Sequence, residues 1–563
     1  MGVKGDEFPL QGAGTASLPE FEAEPQKIKR RIKYMKILAA DGIAQEGIDL
    51  LTQEKGFEVV VKEKISHEEL LDIIGDFDAL MVRSASKVTP DVIEKANKLK
   101  IIGRAGVGVD NIDLPAATAK GIIVINSPSG NTIAATEHTM AMMLSLARHI
   151  PVANETTQKG EWNRKKYKGV ELRGKTLGII GLGRIGGNVA IRSEAFEMNV
   201  IAYDPYMNEA RAKNLGVKVA TLEEVVKESD FITVHMPLTP ETKGMISMKE
   251  MKQMKKGVRL VNCARGGIID ENDLAQAVKE GIVAGAAIDV FTSEPLAEDT
   301  PLRGVPGIIL TPHLGASTVE AQIAVSVDVA EGIVAALKGE PVTTAVNMAP
   351  VSREVMKVLS PYLDLGERLG CTLCSLADGA ISSLEITYSG KITEVNTKML
   401  TTAIIKGILN PIMEQEVNYV NAPKFAEERH INVVESKEQE AKHFKSLIKV
   451  TAKTKNGEAS VEGTLFGDEG RIVKINKFRV DVDPHARILI CPHINRPGVI
   501  GTVGSIMGES NINISGMQVG RTEIDGTNLM VLTIDNDIPS AVLDKVKSVD
   551  GIFDAKLVNF HAV

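Results

Sequence analysis

Three short segments set one polar residue among small ones in a way that suits proton transfer on an anionic substrate. Arg265 lies in Asn262-Cys263-Ala264-Arg265-Gly266-Gly267, Glu294 in Asp289-Val290-Phe291-Thr292-Ser293-Glu294-Pro295, and His313 in Thr311-Pro312-His313-Leu314-Gly315. An imidazole takes or gives a proton near neutral pH, a carboxylate orients it, and a guanidinium grips a carboxylate through charge-assisted hydrogen bonds. Singly, each residue has a plainer role. A histidine after proline supports a turn, Glu-Pro makes one, and an arginine among small residues caps a helix. Two further histidines compete, but His138 falls inside an expected helix and His235 inside an expected strand, where packing roles suit them better.

A fourth segment raises the weight of the other three. Gly181-Leu182-Gly183-Arg184-Ile185-Gly186 fits G-x-G-x-x-G between an expected strand and an expected helix, the context the motif requires. Gly181 permits a tight turn, Gly183 lets a pyrophosphate approach the backbone, and Gly186 lets the helix sit close to the sheet. Arg184 and Ile185 open that helix, whose N-terminal amides meet phosphate charge. Asp204 follows Gly186 by eighteen residues at the end of the next strand. A carboxylate there bonds ribose hydroxyls and repels a 2′-phosphate, and 205–208 offers no arginine, so the pattern points to NAD rather than NADP.

The elements that must position these residues alternate in type. Short β-rich runs at 36–40, 57–61, 79–83, 100–104 and 122–126 are separated by helix-period stretches such as 66–74 and 89–96. A long apolar helix at 133–149 leads to strands at 175–181, 199–204, 231–236, 258–262, 285–290 and 308–311, and a helix at 317–337 turns back. Such alternation predicts two doubly wound α/β domains with parallel sheets and a ligand cleft between them. After 339 the pattern weakens. Helices at 355–369 and 394–415 and strands at 384–389 and 446–454 predict an α+β domain. The last stretch reads strand 487–491, helix 498–509, strands 512–519 and 529–535, helix 539–546 and strand 551–560, a ferredoxin-like βαββαβ unit.

With the glycine fingerprint upstream of Arg265, Glu294 and His313, residues 35–337 resemble the D-isomer-specific 2-hydroxyacid dehydrogenase family. The resemblance implies that His313 takes the proton of the substrate's C2 hydroxyl, that Glu294 pairs with and orients the imidazole, and that Arg265 holds the carboxylate and C2 oxygen. It also implies that Asp289 bonds the nicotinamide carboxamide, that Cys263, Ala264 and Arg265 line the nicotinamide pocket, and that Gly315 lies at the cofactor. Within that family, Arg83-Ser84 and Arg104-Ala105-Gly106 resemble the substrate-binding segments of the phosphoglycerate dehydrogenases, with Arg148 reaching in from a partner subunit. Two arginines suit the phosphate of 3-phosphoglycerate, although they could instead form surface ion pairs. Val107 stands where that family has a cofactor-contacting threonine. His493-Ile494-Asn495-Arg496-Pro497-Gly498, with Asn513 eighteen residues beyond Asn495, resembles the serine-binding turn of ACT domains, with Asn513 supplied by the partner chain.

These readings divide the chain into a leader at 1–34, a substrate domain at 35–132 plus 318–339, an NAD-binding Rossmann domain at 133–317, an intervening domain at 340–484 and an ACT domain at 485–563. The resemblance implies a homo-oligomer, dimer or tetramer, with serine as effector. The rival readings are a reductase of glyoxylate or hydroxypyruvate, which needs neither the phosphate-binding arginines nor the last two domains, and a non-catalytic NAD-sensing module.

Composition bounds the rest. At 563 residues the chain exceeds one core. Its net charge of −8 argues against a nucleic-acid partner. No apolar run is long enough for a membrane span, and no metal site is expected. Four cysteines make no disulfide framework and suit the cytoplasm, and Cys371-Thr372-Leu373-Cys374 reads as core rather than redox motif. The leader lacks a secretory signal's apolar stretch; it carries a basic run at 27–33 and precedes a second methionine, Met35.

Overall fold

The computed structural model describes residues 34–207, 209–521 and 526–560; the expected leader, with its basic run, lies outside the described residues. The first sheet holds β1 (Met35–Ala40), β2 (Phe57–Lys62), β3 (Ala79–Val82), β4 (Ile101–Arg104) and β5 (Ile123–Asn126) in the order β2-β1-β3-β4-β5, all parallel. The second holds β6 (Thr176–Ile180), β7 (Asn199–Tyr203), β8 (Lys218–Val219), β9 (Phe231–Val234), β10 (Arg259–Asn262), β11 (Gly285–Ile288) and β12 (Ile308–Leu310), in the order β12-β11-β10-β9-β6-β7-β8. Strands such as Ala-Leu-Met-Val in β3 and Phe-Ile-Thr-Val in β9 are buried along their whole length, because helices cover both faces of a parallel sheet. The order of the second sheet reverses between β6 and β9, the switch point at which open α/β sheets take their ligands.

Helix Thr132–Arg148 carries the chain into the second lobe, and helix Val319–Leu337 brings it back. Val325, Val329, Ala330 and Ile333 of the returning helix join the core on one face of the first sheet, beside Ile37, Met81 and Ile101. The chain then stays tied to the edge of that sheet. Asn347 accepts from the Val124 amide and donates to Ile122 O and Thr118.

The third sheet is mixed: β13 (Ser383–Gly390), β14 (Asn432–Glu438), β15 (Ser446–Lys453), β16 (Glu458–Phe466), β17 (Glu469–Ile475) and β18 (Phe478–Val482), in the order β14-β13-β15-β16-β17-β18. Helices Arg353–Leu376 and Lys398–Leu409 cover it. The last unit is β19 (Arg487–Ile494), helix Val499–Glu509, β20 (Ile514–Arg521), β21 (Thr527–Ile534), helix Ser540–Lys547 and β22 (Lys556–Val558), with strand order β20-β21-β19-β22. Ile488, Ile490, Leu529 and Val531 on one face of this sheet share a core with the intervening helices. Cys371 and Cys374 lie on helix Arg353–Leu376, where burial pushes both thiols up, Cys371 to about 12. All four cysteines are free. Among the described residues, no helix is long and apolar enough to cross a membrane.

Three expectations need correction. The helix expected at 394–415 is confined to Lys398–Leu409: Asn410 is still helical, but Pro411 has no amide to donate back into the helix, and the chain tightens into the 3-10 turn Asn410–Ile412. The final strand is Lys556–Val558 rather than 551–560, since Gly551 turns at φ +94°. Four of the strands between 432 and 482, β14, β16, β17 and β18, were not anticipated, although β18 alternates apolar and charged residues along Phe478–Val482. Among them β14 is a mostly exposed edge strand, and its charged residues suit an edge that must not pair further.

A Cβ on Gly103 in β4 would lie 2.4 Å from Val329 Cγ1, a stiff and fully buried side chain. Gly103→Ala should therefore overpack the seam between β4 and the returning helix and cost about 1–3 kcal/mol in urea unfolding. Paired with Val329→Ala it should cost less than the sum of the two single changes.

Candidate active site

β10, β11 and β12 are adjacent and in register, with Asn262 beside Ile288 and Ile288 beside Leu310, so the loops after them open on one edge. Arg265 follows β10, Glu294 follows β11 and His313 follows β12. Asn262 shapes the first loop by accepting from the Ala264 amide and donating to Arg265 O. A Cβ on Gly266 would lie 1.9 Å from the Phe291 carbonyl carbon, which fixes how closely the first loop approaches the second. Across the next gap, His313 Nδ1 lies 2.7 Å from Glu294 Oε2, while Glu294 Oε1 accepts from the Phe291 amide at 3.0 Å. Burial alone would raise the Glu294 carboxyl. The hydrogen bonds from His313 and the Phe291 amide outweigh it, and the carboxyl lies below its ordinary value.

His313 is held with φ +53°, in the left-handed region that side-chain-bearing residues rarely occupy. The brace is Asp289, which has no solvent exposure. Its Oδ1 accepts from Thr311 Oγ1 at 2.6 Å and the Leu314 amide at 2.8 Å, its Oδ2 from the Gly315 amide at 2.9 Å, and its backbone oxygen from the His313 amide. His138, on the helix that joins the lobes, adds a contact of 3.1 Å to Oδ1. His138, Cys263 and Asp289 also bring three metal-ligating atoms together. Burial, with Asp289 beside it, pushes the Cys263 thiol up to about 12. His235 is half-buried, its pKa lowered to about 4 by desolvation, with Nε2 3.0 Å from Thr233 Oγ1.

The glycine loop fits a dinucleotide. Gly181 turns at φ +98°, and a Cβ there would lie 2.6 Å from His235 O. A Cβ on Gly186 would lie 2.1 Å from Gly181 O, so only glycine lets the helix come this near. At Gly183 nothing stands within 4 Å, which leaves space in front of the uncapped N-terminus of helix Arg184–Ala195. Asp204 Oδ2 accepts from the Leu182 amide at 2.9 Å and Oδ1 from the Tyr206 amide at 2.8 Å, so the carboxylate braces the loop and keeps two acceptor positions for hydroxyls. Arg184 Nη1 lies 3.2 Å from Pro128 O, at a crossing between the lobes. Arg211, missed in the sequence because it sits beyond the strand on the following helix, donates to Gly183 O at 3.2 Å.

On the facing lobe, Arg83 and the exposed Ser84 follow β3, and Arg104 ends β4. A Cβ on Gly106 would lie 1.6 Å from Arg104 Nη1, so the guanidinium rests directly on that glycine. Arg104 Nε is shut off from solvent without a hydrogen-bond partner. Burial, then the nearby Arg265 charge, lower this guanidinium to about 10. Sequence reasoning missed the supports. Asp41, at φ +68°, accepts from the Arg83 and Ser86 amides and from Ser86 Oγ, while Asn111 Nδ2 donates to Arg83 O and Ser86 O. Val107 contributes its backbone oxygen to Asn126. Arg148 stands exposed at the far end of helix Thr132–Arg148, about 25 Å from the lobe crossing at 1.5 Å per residue.

The C-terminal trio is divided within one chain. His493 and Asn495 lie at the end of β19 that pairs with Thr527, whereas Asn513 precedes β20 beside Asp535, at the end of the sheet that pairs with Arg487. The length of β19 puts the two ends roughly 23 Å apart. His493 is buried, with Nδ1 2.8 Å from Ile494 O and Nε2 unpartnered. Asn513 Nδ2 donates to Asp535 Oδ2 at 2.5 Å. A cavity of about 1280 Å³ lies elsewhere, between the N-terminal ends of the first sheet and the intervening domain, beside Lys36, Lys100 and Tyr419.

Comparison with known proteins agrees with this layout. Residues 140–315 match the NAD binding domain of D-isomer specific 2-hydroxyacid dehydrogenases, 358–476 the D-3-phosphoglycerate dehydrogenase intervening domain, and 488–551 the ACT domain. D-3-phosphoglycerate dehydrogenase of Archaeoglobus fulgidus is 45% identical over 93% of this chain and 100% of its own length. That of Bacillus subtilis is 43% identical over 93% of this chain and 99% of its own. Among solved structures, the NAD-dependent formate dehydrogenase of Staphylococcus aureus in complex with NAD is 31% identical, with a TM-score of 0.51, covering 56% of this chain and all of that one. D-Lactate dehydrogenase of Aquifex aeolicus, complexed with NAD and lactic acid, is 29% identical, with a TM-score of 0.50, covering 54% of this chain and 96% of that one. On sequence, domain content and architecture together, the chain belongs to the D-3-phosphoglycerate dehydrogenases of the D-isomer specific 2-hydroxyacid dehydrogenase family.

Proposed function

We propose that the protein oxidises 3-phosphoglycerate to 3-phosphohydroxypyruvate with NAD, the step that commits carbon to serine. The observation that carries this reading is the His313–Glu294 pair on a shared edge with Arg265, facing a lobe that adds Arg83 and Arg104. Gly181, Gly183, Arg184, Ile185 and Gly186 would hold the pyrophosphate, Asp204 the adenosine ribose, and Cys263, Ala264, Asp289 and Gly315 the nicotinamide end. Bound NAD supplies the hydride acceptor for C2.

The protein's own groups do the rest. With Nδ1 donating to Glu294, His313 Nε2 is the nitrogen left to take the proton of the C2 hydroxyl. Arg265 holds the carboxylate and the C2 oxygen, and the fork geometry of Arg83 and Arg104 suits the phosphate, with Ser84 and Gly106 beside it. Arg148 acts in the cleft of a second subunit. Because His493 and Asn495 of one chain lie far from its own Asn513, a serine site built from all three needs two chains. We therefore place serine at a dimer contact between ACT domains, where it lowers activity, and four free cysteines support a cytoplasmic setting.

NADH formation from 3-phosphoglycerate at alkaline pH is the direct test. Activity on D-glycerate at equal efficiency would favour the reductase reading instead. His313→Gln should lower kcat by roughly 10²–10⁴-fold, the usual range for a lost general base, with little change in NAD binding.

Glu294 gives a pH prediction. Its carboxyl lies below the ordinary 4.5, so the stability it gains from the pair is complete above that value and is lost as pH falls through the lowered one. Unfolding curves of the wild type and Glu294→Gln should differ near neutral pH and converge as pH falls through the lowered value.

Serine at about millimolar concentration should slow the wild type and leave Asn495→Ala unaffected; an unaffected wild type would limit the last domain to assembly.

A further inference from the structure

Arg265 is already engaged. Its Nε lies 3.2 Å from Asp110 Oδ2, and its Nη1 donates to Ala264 O at 2.7 Å. Asp110 belongs to the loop after β4 on the first lobe and Arg265 to the loop after β10 on the second, so this ion pair spans the cleft. The approach is close. A Cβ on Gly108 would lie 2.0 Å from Arg265 Nη2 and 2.6 Å from Asp110 Oδ2.

Two acidic residues face this cluster of guanidiniums, and they differ in kind. Asp41 is committed to the Arg83–Ser86 loop by three hydrogen bonds. The Asp110 side chain is 72% exposed, and among the described residues its one hydrogen-bonded partner is Arg265. An exposed ion pair with no second brace is weak and screened by salt. Asp110 also feels Arg104, whose guanidinium burial and Arg265 lower and Asp110 raises. It is thus the one loosely held negative charge among three positive ones.

We propose that Asp110 is a displaceable counter-ion: it occupies Arg265 while the cleft lacks substrate, gives it up to the substrate carboxylate, and so weakens the apparent affinity for the phosphorylated acid. This rests on the reading that Arg265 holds that carboxylate. A substrate carrying both carboxylate and phosphate must displace Asp110 and then remain beside its charge. Both effects oppose binding, and neither touches the proton transfer at His313. Asp110 is a positioning residue here, acting through Arg265.

The test uses the full chain with saturating NAD. Asp110→Asn should lower KM for 3-phosphoglycerate about three- to tenfold, with KM for NAD within about twofold of the wild type. The gap in KM should narrow as ionic strength rises, because the charge removed is exposed. Asp110→Glu, which keeps the charge, should behave like the wild type. A merely structural role would raise KM or lower kcat, and would make Asn and Glu similar. An unchanged or higher KM in Asp110→Asn overturns the proposal. Calorimetric titration of 3-phosphoglycerate into the NADH-bound protein separates this from the functional reading. If the wild type binds without turnover and Asp110→Asn binds more tightly, the chemistry is wrong and the counter-ion stands. If the wild type does not bind, both fall.

Discussion

Asp289 has no solvent exposure and keeps its charge, because hydrogen bonds from His138, Thr311 and the Leu314 amide outweigh the burial that would raise its carboxyl. Everything at the acid–base end of the cleft hangs on that balance. A left-handed residue other than glycine costs on the order of 1–3 kcal/mol and persists only where its surroundings over-determine it. Around His313 the surroundings are one carboxylate and one carbonyl of the same residue, which take the amides of three successive loop residues. The imidazole is thereby aimed at Glu294 by backbone rather than by side-chain packing, which suits a group that must stay open to solvent and substrate.

The opposite lobe uses the same device. Asp41 is also left-handed, and its carboxylate gathers the Arg83–Ser86 loop as Asp289 gathers the loop of His313. Cationic side chains are thus presented from loops whose backbones are fixed by anions. Arg104 carries this furthest, packed on Gly106 with its Nε unsatisfied. A buried donor without a partner is costly.

Much of this was legible because chemistry forced the residue type. The turn at Gly181 and the close approach at Gly186 admit no side chain, so both leave a glycine in the sequence. Arg265, Glu294 and His313 stand out because each follows a strand of one sheet. The supports were not legible. Asp41, Asn111 and the full role of Asp289 act through backbone amides, and any loop with an Asp or Asn looks alike until its partners are known. Arg211 reaches Gly183 from a helix the glycine pattern does not mention. β14 escaped because its neighbour is β13, far along the chain, and its exposed face carries no apolar period.

The return of helix Val319–Leu337 to the first sheet has a consequence for how the chain is made. One face of that sheet is closed by its own helices, with Leu70, Val92 and Ala117 in its core. The other has only helix Gln45–Gln53 of its own, through Ile48 and Leu51, and is completed by Val325, Val329 and Ile333. A growing chain therefore emerges with one half-covered sheet and completes it only after the whole second lobe has been translated. The contiguous second lobe is free to fold as a unit in the meantime. Until then the part of that face beyond helix Gln45–Gln53 is open to whatever binds apolar surface at the ribosome.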